Sequence, residues 1–213
     1  MSRDRIATMP DLERFKVICL YVTLSTIAFA VIYGWCNQQA ALNPVRYSMY
    51  TQWELSIPLI PWMIYPYISL NLLFVVAAFV LKDISSVKGF CISLIVGAIV
   101  AGFVFYFFPG QLGFVRETVP GYEQYFDFMF SIDHPHNLFP SLHVTYSTLA
   151  IFAMIEQTTN KIFHAFMWVW LVLISASVVF VHQHHLFDIV TGFILALVIY
   201  KLVYEKIHNT KRA

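Results

Sequence analysis

The chain has 213 residues, 59% of them hydrophobic and only 12% charged, with a formal net charge of +1 and a mean hydropathy of +0.69. A soluble domain carries about a quarter of its residues as charges, so the composition excludes an ordinary water-soluble fold and describes a small polytopic membrane protein of one domain, residues 1–213. No basic stripe is present to follow a phosphate backbone, which excludes nucleic acid as a partner.

Six apolar segments follow one another, near Val17–Trp35, Pro61–Leu81, Gly89–Phe108, Leu142–Ile155, Ile162–Val181 and Leu186–Tyr200. Lengths near 20 residues suit a full crossing, and the fourth and sixth are short. The first is long enough to remain as an anchor, and no separate secretory signal precedes it. Cys19 and Cys91 fall in apolar runs as inert core thiols. Cys36 follows the first run, and the bulky Trp35 before it argues against a lipoprotein-type anchor. Pro58, Pro61 and Pro66 crowd the start of the second segment and predict an irregular beginning there, because proline removes a backbone donor. In the third, Gly97/Ala101 and Ala98/Gly102 place small residues four apart, which permits close helix packing. Trp53, Trp62, Tyr65 and Tyr67 read as an interfacial aromatic belt.

The charges orient these segments. Arg3, Arg5, Arg14, Lys16, Lys82, Lys88, Lys161, Lys201, Lys206, Lys211 and Arg212 all fall on one side of a six-crossing arrangement; Arg46 and Arg116 fall on the other. By the positive-inside rule the first side is cytoplasmic. The expected fold is therefore all-α: a six-helix membrane bundle with both termini cytoplasmic. Its outer segments are then 36–60, 109–141 and the turn 182–185. His134, His136, His143, His182, His184 and His185 map to that outer face, so the chemistry faces outward.

Two polar first turns stand out there, Pro140-Ser141-Leu142-His143 and His184-His185-Leu186-Phe187-Asp188. Two antiparallel passes separate them and return the chain to the face it left, which places both histidines at one surface. His184 and Asp188 are four apart on a helix, where side chains meet. The carboxylate then fixes one ring nitrogen and leaves the other as nucleophile or base. Gly192 continues the same face and lets a neighbouring helix approach. Ser141 is a good N-cap before His143, and a helix N-terminus suits an anion. Each feature alone also reads as an ordinary helix start; the pairing of a histidine with an acid at membrane depth is what favours function. Arg116 lies in the loop that folds over this surface. His182 and His185 flank His184 and either wet the turn or add positive charge beside an anion. His134 and His136 read as loop surface, and Tyr146 and Ser147 as packing.

These strings resemble the signature of the type 2 phosphatidic acid phosphatase superfamily: Lys-x6-Arg-Pro, then Pro-Ser-x-His, then Ser-Arg-x5-His-x3-Asp. The second part is matched in full by residues 140–143, and the end of the third by His184 and Asp188. Residues 137–143 look closest to the inositol-phosphotransferase branch, and the likeness covers residues 108–192. Arg116 can stand for the first-motif arginine, with Glu117 in place of the following proline and Pro109 where the lysine would be. Ser177 keeps the third-motif serine while Val178 replaces its arginine. The phosphate cradle is thus short of two cations, which suits a singly charged phosphodiester better than a monoester dianion.

The resemblance implies lipid phosphoryl transfer through a phosphohistidine. His143, His184 and Asp188 are the catalytic set, and Arg116, Ser141, His182 and His185 hold the phosphate. It implies no metal and no cofactor. The partners are a lipid phosphate substrate and the bilayer. Its location is a bacterial inner membrane or a eukaryotic endomembrane, with the site on the periplasmic or lumenal side. Two rival classes remain at this level: a non-catalytic lipid-binding protein on the same scaffold, and a metal or haem membrane protein using the outer histidines.

Overall fold

The computed structural model describes residues 6–209. Among them the protein is helical, with no strand beyond an isolated bridge between Tyr47 and Gly110. Helix α1 runs Leu12–Leu42, α2 Ile64–Ile68, α3 Leu70–Val80, α4 Ile84–Phe107, α5 Glu123–Ile132, α6 Leu142–Ile155, α7 Lys161–Phe180, α8 Leu186–Ile199 and α9 Glu205–Asn209. Five stretches are long and apolar enough to cross a membrane: α1, Pro61–Val80, α4, α7 and Leu186–Asn209. The chain is thus a multi-pass integral membrane protein.

Local sequence explains most boundaries. Asp11 caps α1, its carboxylate accepting from the Arg14 backbone N–H at 2.8 Å, and Asn160 caps α7 through Phe163 N at 2.9 Å. The prolines before α3 act as expected: Pro61–Met63 forms a 3₁₀ turn, α2 follows, and Ser69 separates it from α3. Small residues in α4 face their neighbours closely. A Cβ at Gly102 would lie 2.7 Å from Ile32 of α1, and one at Gly97 3.1 Å from the Tyr146 ring of α6.

Several expectations change. Helix α1 continues past Trp35 to Leu42, so Cys36 is a buried position inside the helix, and Cys19 is exposed rather than a core thiol. The apolar run simply ends before the helix does; Gln38, Gln39, Ala40, Ala41 and Leu42 are good helix formers that carry it on. The sixth segment is not short, because a π turn at Tyr200–Tyr204 joins α8 to α9 and extends the rod to Asn209. The segment 109–141, read from the sequence as a loop, contains α5, an amphipathic helix that buries Phe126 and Met129 against Ile64, Tyr67 and Val178.

Helix α6 remains short, with 14 residues, roughly 21 Å at 1.5 Å per residue, against a hydrocarbon core about 30 Å thick. It sits inside the bundle, packed against α3, α4, α7 and α8, and Thr145, Ser147 and Thr148 are fully buried. A helix surrounded by protein has no lipid to match, which is why it tolerates hydroxyls and a reduced length. Thr145 Oγ1 donates to Ser141 O at 2.9 Å and to Gly192 O of α8 at 3.0 Å.

The two ends of the bundle differ. At one, Arg14 donates to Thr8 O and Lys82 O, Lys82 Nζ to Gln157 O, and Ser86 meets the His208 ring at 2.9 Å. At the other, the connecting segments are tied together and to α7: Tyr47 N to Pro109 O, Gly110 N to His136 O and Ile60 N to Phe180 O. Arg3, Arg5, Lys211 and Arg212 lie outside the described residues.

Where α6 meets α8 the packing admits no side chain at Gly192. A Cβ there would fall 2.6 Å from Ser141 O and 3.2 Å from Ser141 N, both backbone atoms that cannot swing away. Gly192→Ala should therefore destabilise the protein by about 1–3 kcal/mol, read as a lower unfolding temperature in detergent. Gly34→Ala, inside α1 with nothing within 4 Å of its added Cβ, should raise that temperature slightly, since alanine is the better helix former by about 1 kcal/mol.

Candidate active site

The start of α8 is built by one turn. Val178 O accepts from both Gln183 N (3.0 Å) and His184 N (2.9 Å), closing the chain sharply after α7. His182 takes a φ of 58° in this turn, a left-handed conformation that histidine enters more readily than most residues. Asp188 Oδ2 then accepts from His185 N at 2.9 Å and lies 3.2 Å from His184 Nδ1. The same residue's backbone carbonyl accepts from Ser141 N at 3.1 Å, tying α8 to the first turn of α6. His184 and Asp188 are 4% and 1% exposed; buried this deeply, the pair has little water to compete for it. No protein group among the described residues bonds His184 Nε2.

His143 opens α6 beside them. Its ring and that of His184 lie with centroids 6.4 Å apart, inclined at 60°. The opposite face of the site is supplied by residues that motif reading did not single out. Tyr67 stacks on His143, centroids 4.1 Å apart, and its hydroxyl donates to Asp133 Oδ2 at 3.0 Å. Tyr33 donates to Asp133 Oδ1. Tyr67 is therefore not part of a surface aromatic belt: it is 5% exposed, whereas Trp53, Trp62 and Tyr65 are exposed. Its neighbour Pro66 hinted only at irregular backbone, and nothing local foretold its contact with His143.

A cavity of about 850 Å³ joins these groups. His143, His184, Asp133 and Asn137 line it together with Phe29, Phe74, Leu94 and Phe128, and Asn71, Gln124 and Tyr125 add further polar groups to its wall. At its rim Val22, Asn71 and Phe128 are exposed, so the space opens laterally between α1, α3 and α5.

The remaining sequence candidates sit differently. Ser141 is fully buried and caps α6 through Val144 N at 3.5 Å. Arg116 donates to Gln183 Oε1 at 2.9 Å, lies 4.8 Å over the Phe130 ring and keeps a buried Nε with no partner. Burial works against its charge, and the Asp133 carboxylate works for it. Arg116, Ser141, His182 and His185 do not line the cavity. His182 stacks on Phe114 at 3.9 Å, with Nε2 2.9 Å from Ile57 O. His185 is held between Tyr50 and Phe114, and its Nε2 accepts from Gly113 N at 3.0 Å. Its Nδ1 points towards Glu54 Oε2 at 3.6 Å. Glu54, which carried no sequence signal, is 3% exposed and accepts from Leu186 N at 2.9 Å, so it caps α8 from a distant loop. Val178, where the family pattern has arginine, is core. Among the described residues no three His, Cys, Asp or Glu side chains group as a metal set.

Three shifts bear on pH. Burial holds the His185 imidazole below its usual value of 6.5, only partly opposed by Asp188 and Glu54. It does the same to His182, with the Ile57 carbonyl opposing. Burial pushes the Glu54 carboxyl up, but the hydrogen bonds from Leu186 and Thr51 outweigh it and leave the group below 4.5. Groups with depressed values bind protons in the unfolded chain first, so each costs stability as pH falls. The unfolding temperature in detergent should drop between pH 7 and 5 through the histidines and further below 4.5 through Glu54. His185→Gln, which keeps an acceptor for Gly113 N–H but does not titrate, should flatten the first slope.

No curated protein matches the chain. Residues 109–212 match the family model of the PAP2 superfamily. This segment contains both histidines, the α8 carboxylate and the α6–α8 contact, and it supports a membrane phosphatase-type activity. By it this segment of the chain, residues 109–212, is similar to the PAP2 superfamily.

Proposed function

We propose that the protein is a lipid phosphoesterase or phosphotransferase working through a phosphohistidine. The observation that carries this reading is the pair of imidazoles 6.4 Å apart at one end of the bundle, one steered by Asp188 and both lining a lipid-open cavity. Reacting atoms in a near-attack arrangement lie roughly 3–3.5 Å apart, so a single phosphorus fits between the two rings.

His184 Nε2 attacks phosphorus while its Nδ1–H donates to Asp188, whose carboxylate offsets the positive charge that forms on the ring. The bond from phosphorus to the departing alcohol breaks, and His143 gives that oxygen its proton. Water or a second alcohol then enters on the same side. His143 takes its proton back, the phosphorus–nitrogen bond breaks, and His184 returns to neutral. Arg116, set behind the cavity wall, and the first turn of α6 with Ser141 stabilise the non-bridging oxygens; such fixed donors supply most of the rate in phosphoryl transfer. His182 and His185 shape the turn that carries His184.

The absent cations at Pro109 and Val178, and the carboxylate of Asp133 in the cavity wall, disfavour a monoester dianion. They favour a singly charged phosphodiester and hence head-group transfer or diester cleavage. The chain acts as a single membrane domain, residues 1–213, of six passes with the buried α6 as one of them. The lysine- and arginine-rich end, with both termini, faces the cytoplasm by the positive-inside rule, and the histidines face the periplasm or lumen.

A lipid panel in mixed micelles, scored for both released phosphate and exchanged head groups, tests the reading. The wild-type protein should turn over at least one lipid phosphoester. His184→Ala should lose that activity by roughly 10³-fold or more, and His143→Ala by roughly 10²–10⁴-fold, with folding intact. Undiminished turnover in His184→Ala would refute the assignment.

A further inference from the structure

The two histidines are held differently. His184 has a carboxylate at a ring nitrogen, Asp188 Oδ2 at 3.2 Å from Nδ1. Among the described residues no group bonds either nitrogen of the His143 ring. That ring is held by its face instead, against Tyr67, with centroids 4.1 Å apart and planes inclined at 27°. The Tyr67 hydroxyl donates to Asp133 Oδ2 at 3.0 Å, and Tyr33 donates to Oδ1 from α1. The phenol of Tyr67 therefore stacks on the imidazole at one side and bonds the carboxylate at the other.

The face of a phenol ring is negative and attracts a cation within about 6 Å of its centre. A hydroxyl that donates to a carboxylate keeps more electron density on its oxygen and ring, which makes that face more negative. Scarcity of water enlarges the effect, and Tyr67 is buried. Neutral imidazole gains little from such a face, whereas imidazolium gains the most. A carboxylate bonded directly to His143 would occupy one nitrogen. A stacked ring leaves both free, and His143 lines the cavity. In the proposed reaction His143 gives a proton to the departing oxygen and takes one back, so its charge has to be stabilised without its nitrogens being blocked.

We infer that Tyr67 and Asp133 are positioning residues for His143: Asp133 polarises the Tyr67 ring, and that ring orients the imidazole and stabilises its protonated form. The part this plays in turnover rests on the proposed reaction; the effect on the proton does not. The other charged and titratable groups nearby are engaged elsewhere. His184 stands 6.4 Å away at 60° and does not stack. Asp188 is bonded to His184 and to His185 N, Tyr33 to Asp133 and Arg116 to Gln183.

The test follows the protonation of His143 directly. The full chain, labelled with ¹⁵N-histidine in detergent micelles, is titrated by NMR, and the His143 signal is assigned by its loss in His143→Gln. The pH profile of kcat/KM is recorded beside it with a lipid phosphodiester that the wild-type protein turns over. Tyr67→Phe keeps the stack but removes the bond to Asp133. Asp133→Asn keeps the volume and an acceptor but removes the charge. Each should lower the His143 midpoint, by up to about one pH unit, with the His184 midpoint and the unfolding temperature little changed. The limb of the rate profile that titrates with His143 should move with it. Because Asp133 acts through Tyr67, the double variant should shift the midpoint no further than Asp133→Asn alone. An unmoved midpoint in both single variants overturns the inference. So does slower turnover at every pH with the midpoint in place, which would mark a packing role only, and so do shifts that add in the double variant, which would give Asp133 a separate effect. A lowered midpoint without turnover of any lipid upholds the link between Asp133, Tyr67 and His143 and rejects the enzymatic reading.

Discussion

Asp188 is bonded through both its side chain and its backbone, and the site depends on that double hold. The carboxylate fixes the His184 ring and the His185 backbone, while the carbonyl fixes Ser141 at the start of α6. One residue thus sets the orientation of one imidazole and the position of the helix that carries the other. Gly192, one turn on, removes the bulk that would keep α6 and α8 apart, and Thr145 bridges the two backbones. The separation of the histidines is a consequence of helix packing, so anything that moves α6 relative to α8 changes the distance between the two imidazoles.

Around this hinge the polar groups are graded. Nearest α8 they come from the short return after α7 and from Glu54, a loop carboxylate capping the helix where its first N–H groups lack intrahelical partners. Across the cavity they come from Asp133 and two tyrosines on α1 and the α2 turn. Between the two lies the space where His143 and His184 face each other, part of a cavity lined mostly by apolar side chains. A low-dielectric slot strengthens every charge placed at its end, which is why the scarcity of cations there bears on the proposed choice of substrate.

Much of this was legible in the chain. The apolar segments, the proline-disturbed start of the second, the small-residue faces of α4 and the convergence of His143 with His184 and Asp188 follow from periodicity and from the counting of passes. Other features were not, because they depend on contacts between distant segments. Tyr67 looks like any interfacial tyrosine until the fold seats it on His143. Asp133 is one of several acids in a polar loop, and Glu54 one acid in another; only tertiary packing gives them partners. His182 and His185 seemed natural neighbours of an anion by sequence adjacency, but in a tight turn adjacent side chains diverge, and theirs stack on Phe114. Segment length misled at α8, where polar and aromatic residues near Tyr200 hid the continuation through the π turn to Asn209.

The central claim is that His184 and His143 act on one phosphorus atom from opposite sides. It is tested most directly by trapping the covalent species. His143→Ala protein, mixed with a lipid substrate carrying labelled phosphorus, quenched in alkali to preserve phosphoramidates and mapped by mass spectrometry, should accumulate label on His184 alone. Label absent from His184 while the wild-type protein turns over the same lipid, or label on another side chain, would contradict the account.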